Sequence, residues 1–178
     1  IAAIQSGART VAFQGHAGFQ EIGDRFVDVN NASSFPTSAW LLSTCLTGSY
    51  FINSSTPTLA RTLMNTPNAG GAMVIASTRF GHADYEHQMI TKALEIMAAD
   101  GGTWGQILRT LKRDLDHETL AVFQLFGDPA MASSADDDPR SIILRSPQGG
   151  SLVGGNGLVT IGFGLQGEGW WDETLRVS

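Results

Sequence analysis

The sequence predicts an α/β fold built on a mostly parallel sheet. Short apolar runs at Val11–Phe13, Trp40–Leu42 and Ala72–Ala76 have the length of buried strands. A segment with helical spacing separates the last two runs, so we expect them to lie parallel through a right-handed crossover. With 178 residues, of which 42% are hydrophobic, the chain is long enough to bury a core in one main domain.

Charge and composition exclude several classes of function. The net charge of −6 and the isoelectric point near 5.0 argue against a nucleic-acid binder, which needs clustered Lys and Arg. No apolar stretch approaches about eighteen residues, so neither a membrane span nor a signal peptide is predicted. The single cysteine excludes an internal disulfide. Because the chain opens on Ile1 rather than Met, we expect it to be part of a longer protein.

The first two strands are each predicted to end in a chemically reactive side chain. The first strand leads into His16, which lies among glycines, and a long loop over 17–36 follows, with a short strand inside it at 26–29. The second strand ends at Cys45, and Gly48 follows where the chain can turn sharply. Both side chains are therefore expected at the carboxyl edge of the sheet, where open α/β folds form their ligand crevices.

Helices and strands are expected to alternate over the next 75 or so residues. In order, the pattern predicts a helix that starts at 54–57, the strand at 72–76 and a helix that Asp84 caps and that runs to about Ala99. A helix opened by a capping box of Thr103 and Gln106, a strand at 121–126 and a turn at 127–129 follow. The strand at 72–76 ends at the same edge as His16 and Cys45. The residues after it, Ser77, Thr78 and Arg79, are therefore candidates for lining a pocket there.

The composition changes after residue 132. Residues 133–140 contain three consecutive aspartates and predict an acidic surface linker. Beyond it, 141–144 and 158–163 have the pattern of strands separated by a glycine-rich region. We therefore expect a main domain over 1–132 and a β-rich segment over 141–178.

Cys45 and His16 suggest a nucleophile and a base, although a free cysteine more often behaves as a small buried hydrophobe. The two residues are 29 positions apart in sequence, but successive parallel strands would bring them together. The imidazole would then be able to activate the thiol. The sequence by itself leaves both interpretations of Cys45 open.

Five segments, in this order, resemble the gingipain-type branch of the caspase-like cysteine peptidases. The matching segments are Gly15-His16, Cys45 with Gly48 and the aromatics Tyr50 and Phe51, Leu59–Leu63, Gly70–Ser77 and Gly127–Pro129. The resemblance covers roughly residues 8–132. It implies a caspase-like three-layer αβα domain followed by a short all-β segment, the start of an immunoglobulin-like module.

The same resemblance implies peptide-bond hydrolysis through a thiol ester. Cys45 would be the nucleophile and His16 the acid and base, while the backbone N–H groups of Cys45 and Ala17 would hold the oxyanion. Ala17 departs from the family, which usually has glycine after the histidine. The implied partners are a protein or peptide substrate and an N-terminal segment of the same precursor. The implied location is secreted or cell-surface, and no cofactor is implied.

Some weaker candidates complete the set. Arg79 would favour an acidic substrate side chain. The residues His82, Asp84, Glu86 and His87 are of metal-ligand types, but their spacing favours an exposed helix start, and no metal site is predicted. Asp128 is expected to be a turn residue, and Glu21 or Asp24 are candidates for orienting His16.

Two alternatives to a peptidase come from other classes of protein. One is a catalytically inactive caspase-like domain used for protein binding or assembly, which Ala17 and the missing upstream strands would favour. The other is a flavodoxin-like binding domain with a buried Cys45. The absence of a phosphate-cradling glycine motif after the first strand counts against the flavodoxin-like alternative.

Overall fold

The structure is a computed structural model that describes residues 2–5, 7–50, 55–99, 101–115, 118–133, 141–145, 151–155 and 158–162. Its helices are α1 (Ala2–Gln5), α2 (Leu59–Asn65), α3 (Ala83–Ala99), α4 (Trp104–Asp114) and α5 (Glu118–Ala121), with a 3-10 turn at Ala32–Ser34. Its strands are β1 (Thr10–Gln14), β2 (Glu21–Ile22), β3 (Val27–Asp28), β4 (Ser38–Ser43), β5 (Gly71–Ser77), β6 (Phe123–Gly127), β7 (Ser141–Arg145), β8 (Ser151–Gly155) and β9 (Leu158–Gly162).

Seven strands form one sheet in the order β6-β5-β4-β1-β7-β9-β8. The pairs β5–β4, β4–β1, β1–β7 and β7–β9 are parallel, whereas β6 and β8 are antiparallel to their neighbours. The mostly parallel α/β sheet predicted from the apolar runs is therefore confirmed. The strand ends at Gln14, Ser43 and Ser77 meet at one edge, as expected.

Helices cover both faces of the central strands, which makes the domain a three-layer αβα sandwich. Alternate side chains of β1, β4 and β5 enter the two apolar layers. One layer contains Trp40 and packs against α2 and the loop over 17–36. The other contains Leu41 and packs against α3 and α4. The central strands are buried on both sides, which explains their continuous apolar runs.

Most predicted elements agree with the structure, and the differences lie mainly where elements begin. The strand predicted at 121–126 begins at Phe123, because the short helix α5, which was not predicted, ends at Ala121. The capping box of α4 is present, with both of its hydrogen bonds between Thr103 and Gln106. The prediction for α2 was one turn too early, because Thr58 rather than the 54–57 segment caps it and accepts the Arg61 N–H. The prediction that Asp84 caps α3 was also wrong, since Asp84 lies inside the first turn of that helix.

The segment after residue 133 contributes three strands to the edge of the sheet beside β1. Strands β7 and β9 coincide with the two β-patterned runs expected there. Residues 134–140, with the three aspartates of the expected linker, lie outside the described residues. The division into domains at 132 and 140, and an immunoglobulin-like module over 141–178, stay predictions.

Candidate active site

The register of β1 and β4 brings His16 and Cys45 to equivalent positions. Gln14 pairs with Ser43, and the Gly15 N–H donates to the Ser43 carbonyl at 3.4 Å. His16 and Cys45 each follow two residues after this last pair. They therefore lie at the carboxyl ends of neighbouring parallel strands. His16 is exposed, and Cys45 is half-buried.

Backbone turns with positive φ flank both residues. Gly15 has a φ of 149°, so the glycine that this turn requires precedes the histidine. Ala17 is not among the described residues with positive φ, and the Ala17 position therefore imposes no strain of this kind. After the cysteine, Leu46 has a φ of 62°, and the Thr47 N–H donates to the Cys45 carbonyl at 2.7 Å. This tight γ-turn is a strained conformation for leucine, and it directs the chain away immediately after Cys45.

The loop after Cys45 is held against the end of β5. The Leu46 N–H donates to the Arg79 carbonyl at 3.1 Å, and the Gly48 N–H donates to the Ser77 carbonyl at 2.8 Å. A Cβ on Gly48 would lie 3.0 Å from the Ala76 side chain. Gly48 therefore permits the close approach of the loop to β5, in addition to the turn expected of it.

The three residues predicted to line a pocket have different environments. Ser77 is fully buried, and its hydroxyl donates to the Arg79 carbonyl at 2.6 Å. Thr78 is also buried, and its hydroxyl donates to the Val122 carbonyl at 3.0 Å. Only Arg79 is exposed. Ser77 and Thr78 thus contribute to the support of the site, whereas Arg79 is open to a ligand.

Cys45 lies in an environment that disfavours its thiolate. Burial raises the pKa of the thiol, and the nearby Glu86 carboxylate raises it further. In the opposite direction, the Gly81 N–H donates to Sγ at 3.4 Å and lowers the pKa. The balance is a pKa above the usual value of a cysteine. An activated cysteine nucleophile needs the reverse shift, which a nearby cation supplies.

The N-terminal part of α3 contacts the ends of β1 and β4, two residues before the candidate residues. The Ser43 hydroxyl donates to the Glu86 carbonyl at 2.6 Å. The His87 ring Nδ1 lies 3.2 Å from the Gln14 side-chain oxygen, within hydrogen-bond distance. The side chains of the last paired residues of both strands are thus fixed by one helix.

Glu86 is a buried carboxyl that the sequence interpretation placed on an exposed helix start. Its side chain is 5% exposed, and burial raises its pKa from the usual 4.5 to about 7. Its spacing from Met89, Ile90 and Ala93 places it on the buried face of α3, which is a signal that the sequence contained.

The four side chains at the start of α3 that could bind a metal by type do not point to one common site. His82 pairs loosely with Asp84 at 3.7 Å, and both side chains are exposed, whereas Glu86 is buried. In the part of the chain that the structure describes, no group of three or more His, Cys, Asp or Glu side chains is placed to hold a metal ion.

The described helices also include none that is long and apolar enough to cross a membrane.

The remaining acidic candidates have local roles. The Arg25 side chain donates to the Glu21 carboxylate at 3.1 Å, and Asp24 is an exposed residue with a φ of 51°. Their turn contacts the histidine through the backbone, since the Gly23 N–H donates to the His16 carbonyl at 3.1 Å. Asp128 is the turn residue that was expected, because its carboxylate accepts the Ala130 N–H at 2.8 Å.

An αβα sandwich with histidine and cysteine at neighbouring strand ends is an arrangement that a cysteine peptidase can use. The family model for peptidase family C25 matches residues 1–134. The chain therefore belongs to peptidase family C25, the gingipain family, and the resemblance seen in the sequence is confirmed.

Solved structures agree with this family at the level of the fold. The chain aligns to a complex of the pro- and mature domains of RgpB from Porphyromonas gingivalis with a TM-score of 0.61 and 17% identity, over 73% of this chain and 35% of that one. It aligns to the Arg-specific cysteine proteinase gingipain R with a TM-score of 0.61 and 19% identity, over 75% and 35%. A third structure, described only as a protease, gives a TM-score of 0.63 and 8% identity, over 85% and 39%. No curated protein sequence matches the chain.

The chain spans little more than a third of the length of the solved structures that it matches. One of them is a complex of a pro-domain with its mature domain, and another is an Arg-specific cysteine proteinase. At this level of identity the similarity establishes the fold only.

Proposed function

We propose that this chain carries the nucleophile and the acid–base residue of a cysteine endopeptidase. Cys45 is the nucleophile and His16 the acid and base. The observation that carries the proposal is the register of β1 and β4, which puts both residues two positions beyond the pair of Gln14 and Ser43. Membership of peptidase family C25 supports the same assignment.

The reaction that follows has two halves. In the first, the Cys45 thiolate attacks the carbonyl carbon of the scissile bond and forms a C–S bond, while His16 protonates the leaving amine. In the second, His16 removes a proton from water, the hydroxide attacks the thiol ester, and the C–S bond breaks to release the acid and the thiolate. The N–H groups of Cys45 and Ala17 would stabilise the oxyanion in both halves, and losing one such donor typically costs about 100- to 1000-fold in rate.

Arg79 is the residue that we propose for substrate selection at this site. Its exposure at the end of β5 makes it available to an acidic substrate side chain. The hydroxyl hydrogen bonds of Ser77 and Thr78 favour a role for these two residues in holding the backbone beside Arg79 in place.

The similar structures also suggest a precursor, a location and a domain organisation for this chain. A pro-domain accompanies the mature domain in the RgpB complex, and we propose that an N-terminal segment of the same precursor likewise packs against this chain. A protease of this type would be secreted or displayed at the cell surface. In this proposal, residues 1–132 form the peptidase part, 133–140 an acidic linker, and 141–178 the start of an immunoglobulin-like module.

A second candidate function is a catalytically inactive domain that binds proteins. The observation that favours it is the raised pKa of Cys45, because a thiol that stays protonated is a poor nucleophile.

Peptide cleavage distinguishes the two candidates. The longest expressible form of the protein is incubated with a mixed peptide library, and the products are identified by mass spectrometry. We expect cleavage by the wild type to fall at least about 1000-fold in Cys45→Ala and His16→Ala. His82→Ala, which removes an exposed histidine whose contacts are with Asp84 and the Tyr85 ring, is the matched control and should cleave normally. Equal cleavage by the wild type and Cys45→Ala would refute the peptidase proposal, and no cleavage by any form would favour the binding domain.

A further inference from the structure

Glu86 is the buried ionisable group that the proposed reaction does not use. Its Oε1 atom is inaccessible to solvent and has no hydrogen-bond partner among the described residues. A carboxylate oxygen left unpaired in such a place is unfavourable when the group is charged, because neither water nor a donor compensates that oxygen. Its position beside the nucleophile suggests that this cost is connected with Cys45.

Gly81 links the carboxyl to the thiol. The Gly81 N–H donates to the Cys45 sulfur at 3.4 Å. A methyl group on Gly81 would collide with Oε1 of Glu86, so the carboxyl packs directly against this glycine. The Glu86 carboxyl and the Cys45 thiol thus contact the same residue, and the charge of Glu86 acts on Cys45.

The other ionisable groups on neighbouring elements do not neutralise Glu86. They are His16 at the end of β1, Arg79 and His82 in the loop before α3, Asp84 and His87 on α3, and Glu118 on α5. Burial alone accounts for the shift in the pKa of Glu86. Two negative charges close together in a dry site are mutually unfavourable, so the protonation states of Glu86 and Cys45 are coupled.

We propose that Glu86 is a positioning residue that acts through Cys45: its ionised carboxylate opposes the thiolate, and its protonated form permits it. The proposal rests on the proposed role of Cys45 as nucleophile. It predicts that the site carries at most one negative charge near neutral pH, on the carboxyl or on the sulfur. No proton transfer between the two groups is required.

Titration of Cys45 tests the proposal without a substrate. Thiolate absorbance at 240 nm and the rate of alkylation by iodoacetamide are measured from pH 5 to 10 in the wild type and in Glu86→Gln. Cys45 is the only cysteine, so both signals belong to it once the Cys45→Ser background is subtracted. We expect the variant to titrate about one pKa unit lower, which corresponds to about tenfold more thiolate near pH 8. Near pH 5.5, where Glu86 is protonated, the alkylation rates should coincide.

Glu95→Gln is the matched control, because Glu95 lies on the same helix but is exposed and pairs with Lys92 at 3.4 Å. It should titrate as the wild type does. If Glu86→Gln does not fold, Glu86→Met removes the charge with an apolar side chain of similar length. A Cys45 titration that is the same in the wild type and in a folded Glu86 variant would overturn the proposal. A failure to cleave peptides would count against the peptidase and leave this titration result standing.

Discussion

At the scale of single residues, the buried carboxyl of Glu86 should make folding stability depend on pH. Its pKa is about 7 in the folded chain and about 4.5 when exposed, so the unfolded chain ionises first as the pH rises. Glu86 therefore favours the folded state most below about pH 4.5, and this contribution is lost as the pH rises through 7. Glu86→Gln has no proton to lose. We expect it to match the wild type at pH 4 and to be more stable by up to about 3 kcal/mol at pH 8. Urea unfolding at the two pH values measures this, and an equal effect of the substitution at both would contradict it.

The same residues show what the sequence could predict about the site. His16 and Cys45 were identifiable because polar residues that end apolar runs lie at the edge of a parallel sheet, and the register places them there. Glu86 was not identified, because its neighbours His82, Asp84 and His87 suggested a solvated helix start. Its spacing from Met89, Ile90 and Ala93 indicated the buried face of α3, but how deeply the carboxyl is buried depends on which strand ends the helix covers. The low exposure of Ser77 and Thr78 likewise results from tertiary packing that the sequence pattern does not show.

At the scale of elements, the capping box of α4 should contribute measurably to stability. The Thr103 side chain accepts the Gln106 N–H, and the Gln106 side chain accepts the Thr103 N–H at 2.8 Å. Thr103→Ala removes the first of these bonds and should destabilise the chain by about 1 kcal/mol, measured by urea unfolding. Thr110→Ala, inside the same helix, replaces threonine by a better helix former and should not destabilise it in this way. A smaller loss in Thr103→Ala than in Thr110→Ala would show that the box contributes little.

The elements also show why strands were predicted better than helix starts. Strands β1, β4 and β5 are buried on both faces, so each is a continuous apolar run bounded by polar residues. The start of a helix depends on which of several neighbouring hydroxyls accepts a backbone N–H. Ser54, Ser55, Thr56 and Thr58 all suit that role by type, and the structure uses Thr58. The local sequence indicates which residue types can cap the helix, and the packing of the helix determines which of them does so.

At the scale of the whole molecule, the two apolar layers should unfold together, because they share the strands of one sheet. Trp40 lies in one layer and Trp104 in the other, and both are buried. Trp40→Phe leaves Trp104 to report on its layer, and Trp104→Phe leaves Trp40. In each variant we expect the urea transition seen by tryptophan fluorescence to coincide with that seen by far-UV circular dichroism. Replacing Trp170 and Trp171 by Phe in both proteins removes the signal from outside the described residues. An earlier fluorescence transition in Trp40→Phe alone would mean that the layer of α3 and α4 opens before the sheet does. The turn of α3 that carries Glu86 would then open with that layer and expose Cys45 below the global transition, which alkylation of Cys45 at intermediate urea concentrations would detect.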